Sequence, residues 1–276
     1  MKEAARRYRS GSGKKQNKRR KPNPASFMLV YIALSFLAVV ILIVLSFTVF
    51  FKVADIKVIG KTRYSEAEIV KASKLTTGNN LFMTNVNEAK KIIKQKLPYI
   101  DEVKISKNLP SEIRINVKEA VPIGQLEKGK DYIVLDANNK VLEVLHDKPM
   151  KGCPVIRGIL LNEDKPGSVA VFKDDSQKNN LKIMLDGLKK SEITKISVIS
   201  FIEPLNLCAT YHNKIVIEFG SVADLNLKLQ YAKAIIEHPK SAGRTGRLNV
   251  SIVSGSKVSN YFETVELTPA QTADVF

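Results

Sequence analysis

The chain has 276 residues, 44% of them apolar, with ordinary glycine and proline content and a net charge of +17. It is long enough for one or two globular domains and is neither collagen-like nor wholly disordered. Ten basic side chains stand against the single acid Glu3 in residues 1–24, so more than half of the net charge sits there. The modest excess beyond Phe51 gives little reason to expect a nucleic-acid-binding domain.

The tail, residues 1–26, is followed by an uncharged run of 25 residues, Phe27 to Phe51. As a helix it is about 37 Å long at ~1.5 Å per residue, enough to cross a hydrocarbon core of ~30 Å with some tilt. A cleaved signal peptide has a shorter apolar region and a small-residue cleavage site. Here Phe47-Thr48-Val49-Phe50-Phe51 closes the run, and the expectation is an uncleaved signal anchor. Eight basic groups lie between Arg7 and Lys21, against five between Lys52 and Lys71. That bias puts the tail inside and the remainder outside, with anionic lipid holding the tail near the inner surface.

Residues 53–59 alternate as a half-buried strand, and Gly60 marks a turn. Ser65-Glu66-Ala67-Glu68 reads as a capping box opening a helix with Ile69, Ala72 and Leu75 near one face. Gly78 stands where its C-cap belongs. A second helix starts near Asn85, carries Val86, Ala89, Ile92 and Ile93, and stops at Pro98. Val103 and Ile105, the turn Asn108-Leu109-Pro110-Ser111, and Ile113, Ile115 and Val117 form a hairpin. Residues 52–120 are therefore a strand-helix-helix-strand-strand unit with its helices on one face of a small sheet.

The next domain runs over 121–255. A hairpin (132–135 and 141–145) turns at Asp136-Ala137-Asn138-Asn139, and the polar stretch 162–179 reads as a loop. A helix follows with Leu181, Met184, Leu185 and Leu188, then strands at 196–202, 208–211 and 215–219. Ser221-Val222-Ala223-Asp224 caps a helix carrying Leu225, Leu229, Ala232 and Ile236. A last strand, Leu248–Val253, ends the sheet, and 256–276 reads as a flexible tail. The fold class is α+β behind a transmembrane helix.

No catalytic constellation emerges. His146, His212 and His238 fall in or beside turns and helix ends, and the carboxylate pairs Asp101/Glu102 and Asp174/Asp175 read as solvated turns. No metal-binding, phosphate-binding or nucleophile-elbow motif is present, so no cofactor or metal is expected and the chain does not read as an enzyme. Cys153 and Cys208 exclude a disulfide-dense scaffold; they either pair outside the membrane or serve as small buried apolar groups. The last strand, as a sheet edge, offers a docking line for a partner's strand.

Order and spacing across both domains resemble the FtsQ/DivIB family of bacterial cell-division proteins, whose first extracellular domain is of the POTRA (polypeptide-transport-associated) type. The residues that carry the likeness are Val58-Ile59-Gly60, Tyr64-Ser65, Gly78-Asn79-Asn80-Leu81, Pro98-Tyr99-Ile100, Leu109-Pro110, Ile113 to Val117, Glu119 and Pro122. In the second domain they are Leu135-Asp136, Pro154-Val155-Ile156, Gly158, Phe219-Gly220, Leu225, Lys228, Leu229 and Leu248 to Val253, which fit the family's β-domain. Asn139 stands where that family usually has Gly, and Asn249 where it usually has Asp.

The resemblance implies a divisome scaffold that binds the small coiled-coil proteins FtsB (DivIC) and FtsL and helps control septal peptidoglycan synthesis. It places partner binding on Asn249, Val250, Ser251, Ile252, Val253, Ser254 and Gly255, and localisation at the division septum. A POTRA transport or chaperone module and an anchored cell-wall enzyme are the rival readings. The first needs a C-terminal run of barrel strands, against which the helices near 181–189 and 222–237 argue.

Overall fold

The computed structural model describes residues 24–203, 205–241, 243–254 and 257–264. Most of the basic tail and residues 265–276 lie outside them, as does Gly255. The chain divides into two compact units, 1–51 and 52–276. In the first, helix α1 (Pro24–Val49) contains a membrane-length apolar stretch, Phe27–Ser46, with none of it buried in the protein. An all-round apolar helix without protein cover suits a lipid surrounding.

The second unit opens with β1 (Asp55–Ile59), α2 (Glu66–Ser73), α3 (Val86–Lys96), β2 (Ile100–Asn108) and β3 (Glu112–Glu119), in the expected order. The sheet order is β1-β3-β2, with β1 parallel to β3 and β2 antiparallel to it. The capping box forms: Ser65 Oγ accepts from the Glu68 N–H at 3.3 Å, and the Glu68 carboxylate accepts from the Ser65 N–H at 2.8 Å. The helix ends at Lys74, left-handed at φ 57, and not at Gly78, which lies in the following loop. Asn85 caps α3 through the Glu88 N–H at 3.1 Å. Gly60, at φ +130, is required by space as well, because a Cβ there would sit 2.1 Å from the Val117 carbonyl oxygen.

The larger domain comprises β4 (Pro122–Lys128), β5 (Asp131–Asp136), β6 (Val141–His146), β7 (Val155–Arg157), β8 (Leu161–Glu163), β9 (Val171–Phe172), α4 (Asp175–Ser191), β10 (Ile196–Ser200), β11 (Leu207–Tyr211), β12 (Ile215–Gly220), α5 (Leu225–Ile236), β13 (Gly246–Ser254) and β14 (Lys257–Thr264). One nine-stranded sheet runs β14-β13-β12-β11-β10-β7-β4-β5-β6. Leu181, Met184 and Leu188 of α4, with Leu225, Leu229 and Ala232 of α5, bury its inward side chains, among them Ile156, Ile199, Ile217, Phe219 and Leu248.

Several local expectations are corrected. Residues 162–179 are not a plain loop: β8 and β9 pair, and α4 begins at Asp175, capped by Asp174. Asp101 and Glu102 lie on β2 rather than in a turn. The start of α5 has no side-chain cap from Asp224, which is itself left-handed at φ 54. Asn139 is left-handed at φ 58, so asparagine does there what glycine usually does. Residues 257–264 of the supposed flexible tail form β14.

The two domains of this unit share a core. Tyr99 and Ala120 of the first pack with Val134 and Leu142 of the second, and Tyr64, Leu145 and Met150 surround them. The buried Tyr99 donates its backbone N–H to the Tyr64 hydroxyl at 3.3 Å and its own hydroxyl to the Glu143 carboxylate. Burial and that carboxylate push the Tyr99 phenol well above its ordinary pKa, so it remains a donor. Arg63 lies over the Tyr99 ring, 3.2 Å from its centroid, and pairs with Glu119 at 2.8 Å. The buried Lys140 amine crosses the same boundary to the Ile100 carbonyl at 2.9 Å.

Tyr99→Ala is expected to lower the unfolding free energy by about 3–5 kcal/mol, and Tyr99→Phe by about 1–3 kcal/mol for the orphaned Glu143. Urea denaturation measures both; an unchanged Tyr99→Phe midpoint would mean that the hydroxyl–carboxylate contact adds nothing.

Candidate functional site: the C-terminal sheet edge

The expected docking strand forms, but it does not end the sheet. β13 runs parallel to β12 on one side and antiparallel to β14 on the other, pairing Leu248 with Phe262, Ile252 with Ser259 and Val253 with Val258. β14 therefore holds the edge. Only Gly255 and Ser256 separate the two strands in sequence, and this glycine-containing pair with Val253 before it and Val258 after it is a hairpin signal. Val258 is buried and Phe262 half-buried against the main core. Two apolar anchors four residues apart in a polar strand are a weak pattern, which is why the segment reads as a tail from sequence alone.

Leu248 and Val250 point into the core, and strict alternation would send Ile252 after them. The register against β14 shifts between Asn249 and Ile252: three residues of β13 advance while β14 advances two. This is a β-bulge. Beyond it Val253 packs on the core and Ile252 is 64% exposed.

Asn249 builds the bulge. Its Oδ1 accepts from the Ser251 N–H at 3.0 Å and from the Ser251 hydroxyl at 2.7 Å, and its Nδ2 donates to Glu218 of β12 at 3.0 Å. Arg247 reaches the other Glu218 oxygen at 2.9 Å. The amide supplies both an acceptor and a donor. Aspartate, usual at this position in the family resembled, has no donor for Glu218.

Gly220, at φ +69 where β12 ends, lies against Ser251: a Cβ would come within 2.9 Å of the Ser251 Cβ. The buried amine of Lys228 on α5 donates to the Phe219 carbonyl at 2.8 Å and the Ser221 carbonyl at 3.0 Å, on either side of Gly220. Burial lowers its pKa. Lys228 thus shapes this corner, doing what a helix cap from Ser221 or Asp224 was expected to do. The same Cβ would lie 3.7 Å from the carbonyl oxygen of Leu205, whose side chain is 81% exposed. Two exposed apolar side chains, Ile252 and Leu205, therefore flank one end of the sheet.

Of the predicted docking residues, Val250 is buried, Asn249, Ser251 and Val253 are half-buried, and Ile252 and Ser254 are exposed. Gly255 lies outside the described residues. Reasoning from sequence missed Gly220, Glu218 and Leu205 as parts of the same corner.

Cys153 and Cys208 are unpaired, and burial pushes their thiols up to about 11 and about 12. His146 meets Asp131 at 2.6 Å on the exposed rim, and His212 stacks edge-on to Tyr211. Among the described residues no group of three or more His, Cys, Asp or Glu could hold a metal ion. What the edge offers is paired main chain and apolar side chains.

The FtsQ-type POTRA domain family matches residues 51–120. The chain is 30% identical over 225 residues to the cell division protein DivIB of Clostridium tetani, covering 79% of this chain and 83% of that one. It is 32% identical over 130 residues to DivIB of Bacillus subtilis, covering 46% and 48%, and 26% identical over 125 residues to the cell division protein FtsQ of Rhizobium meliloti, covering 45% and 39%.

Asn249→Asp is expected to destabilise the protein by about 1–3 kcal/mol, by setting two carboxylates together and removing a donor. Adding Glu218→Gln should recover much of the loss. A thermal double-mutant cycle checks this, and strictly additive effects would mean that residues 249 and 218 do not interact.

Proposed function

Given that the chain belongs to the DivIB/FtsQ family of cell-division proteins, and that one helix among the described residues is long and apolar enough to cross a membrane, we propose that it is a single-pass membrane protein and a divisome scaffold. Its POTRA and β-domains lie outside the membrane, the basic tail lies inside, and the protein is enriched at the septum. It binds small bitopic coiled-coil partners of the FtsB/DivIC and FtsL kind and so helps control septal peptidoglycan synthesis. It is not an enzyme in this reading, and it needs no cofactor.

The observation that supports the docking assignment is the bulge at Asn249, which turns Ile252 out of the core on the strand matched to the family's binding segment. A partner strand pairs with Asn249 to Gly255 by β-augmentation, the main chain supplying affinity and Ile252 a specific apolar contact. β14 occupies that pairing line in the free protein, so the partner takes the place of β14. Among the described side chains of β14, Val258 and Phe262 pack on the main core and leave it when the partner takes this place.

Calorimetry of the 52–276 fragment with such partners tests the reading. Specific binding is expected, and a chain ending at Gly255 should bind at least as tightly. Ile252→Pro removes a ladder donor, and the acceptor left unpaired costs about 1–3 kcal/mol, which corresponds to roughly 5- to 150-fold weaker binding. Undiminished binding by an Ile252→Pro domain that is folded by circular dichroism would sink the docking strand. Loss of binding on removing β14 would move the site to the outer edge of β14, and no binding by any folded form would remove the scaffold reading.

A further inference from the structure

We propose that the C-terminal segment, residues 265–276, folds back into an apolar, lysine-rimmed groove of its own β-domain. This goes beyond partner docking at β13 and does not rest on it.

The groove, about 1290 Å³, lies where β7 and β10 begin, between those strand ends and α4. Met150, Val155, Leu185, Leu188, Ile193 and Ile196 make its apolar floor. One wall is held in place from below. The buried amide of Gln125 donates to the Met150 carbonyl at 2.9 Å and the Cys153 carbonyl at 2.8 Å, and accepts from the Met150 N–H at 2.8 Å.

The rim is cationic. Lys178, Lys182 and Lys189 stand with Leu185 on one stripe of α4, and Lys195 leads into β10. All four lysines are exposed, and among the described residues none of them forms a salt bridge. Of the two acids at the groove, Asp186 and Glu192, the second already meets Lys233 at 3.4 Å. An apolar floor under spare positive charge fits an apolar segment that carries acids and no bases.

The chain supplies such a segment. Val265 to Phe276 is half apolar, with Glu266, Asp274 and no basic side chain, in a protein of net charge +17. The segment also starts within reach. Thr264 pairs with Gly246, Gly246 with Ile215, Ile215 with Tyr211, and Tyr211 with Ile196. This rung leads from the last residue of β14 across the sheet to the groove floor. From β14 to β10 the strand order β14-β13-β12-β11-β10 covers roughly 19 Å at ~4.8 Å per spacing. His212 and Asn213, in the turn between β11 and β12, line the groove on the way. Twelve extended residues reach about 40 Å. Half of the segment therefore crosses to Ile196, and Gln271 to Phe276 fill the groove, with Ala273, Val275 and Phe276 on its floor and Asp274 among the lysines.

The test uses the full chain in phospholipid nanodiscs with Phe276→p-benzoylphenylalanine as a photoreactive probe. Isotope-labelled and unlabelled chains are mixed, and adducts are mapped by mass spectrometry. Adducts within one chain on groove residues such as Met150, Leu185 and Ile196 are expected. Adducts elsewhere in the chain, or none, would overturn the proposal. Adducts joining labelled to unlabelled chains would make a second copy the occupant and overturn it too. In a second arm, the exposed pair Lys182→Glu and Lys189→Glu should cut the adduct yield severalfold, because attraction becomes repulsion; an unchanged yield would overturn the assignment. A third measurement needs no probe. Acetylation of Lys182 and Lys189 should be slower in the full chain than in a chain ending at Thr264, while Lys104 on β2, whose side chain is 77% exposed, reacts equally in both. Equal rates at Lys182 and Lys189 would mean that the segment does not cover them.

Discussion

Tyr99 holds the extramembrane structure together. It is buried at the boundary of two domains that sequence patterns treat as separate, its N–H held by Tyr64, its hydroxyl by Glu143 and its ring under Arg63. Inter-domain contacts in one chain are commonly polar and permissive of motion. Here Val134, Leu142 and Tyr99 form a buried apolar cluster with hydrogen bonds at its rim, and residues 52–276 form one compact unit. The proposed docking corner at β13 belongs to the same compact unit as this cluster.

Buried polar groups do much of the shaping elsewhere. Lys228 uses its amine on the two carbonyls that flank Gly220, a position where an apolar side chain would leave both oxygens unsatisfied. Asn249 replaces a missing ladder bond at Ser251 with its own side chain while binding Glu218. Each group is costly to bury and valuable only when fully partnered, which suits residues that specify a shape more than they add stability.

The sequence was most legible where one physical rule dominates. Period-two and helical apolar patterns placed β1 to β3, α2, α3, α5 and β10 to β13, and the Ser65–Glu68 box marked its helix end. It was least legible where tertiary contact overrides local signal. Lys74 ends α2 by adopting a left-handed turn that lysine does not advertise. β4, with Gly124 set against Ile156, carries no apolar pattern that marked it as an element. At the candidate site the strand was visible, but its neighbours were not: Glu218, Gly220 and Leu205 join it only through sheet order, and β14 depends on two apolar anchors.

The position of β14 also bears on how the protein stays soluble. A strand edge with free N–H and carbonyl groups is a template for any similar chain. β13 would be a potent one, since Val250, Ile252 and Val253 follow one another with no charge between Arg247 and Lys257. β14 covers that template with a sequence bearing Lys257 and Glu263, residue types that discourage further stacking. β14 is in this sense a built-in guard against self-polymerisation through β13.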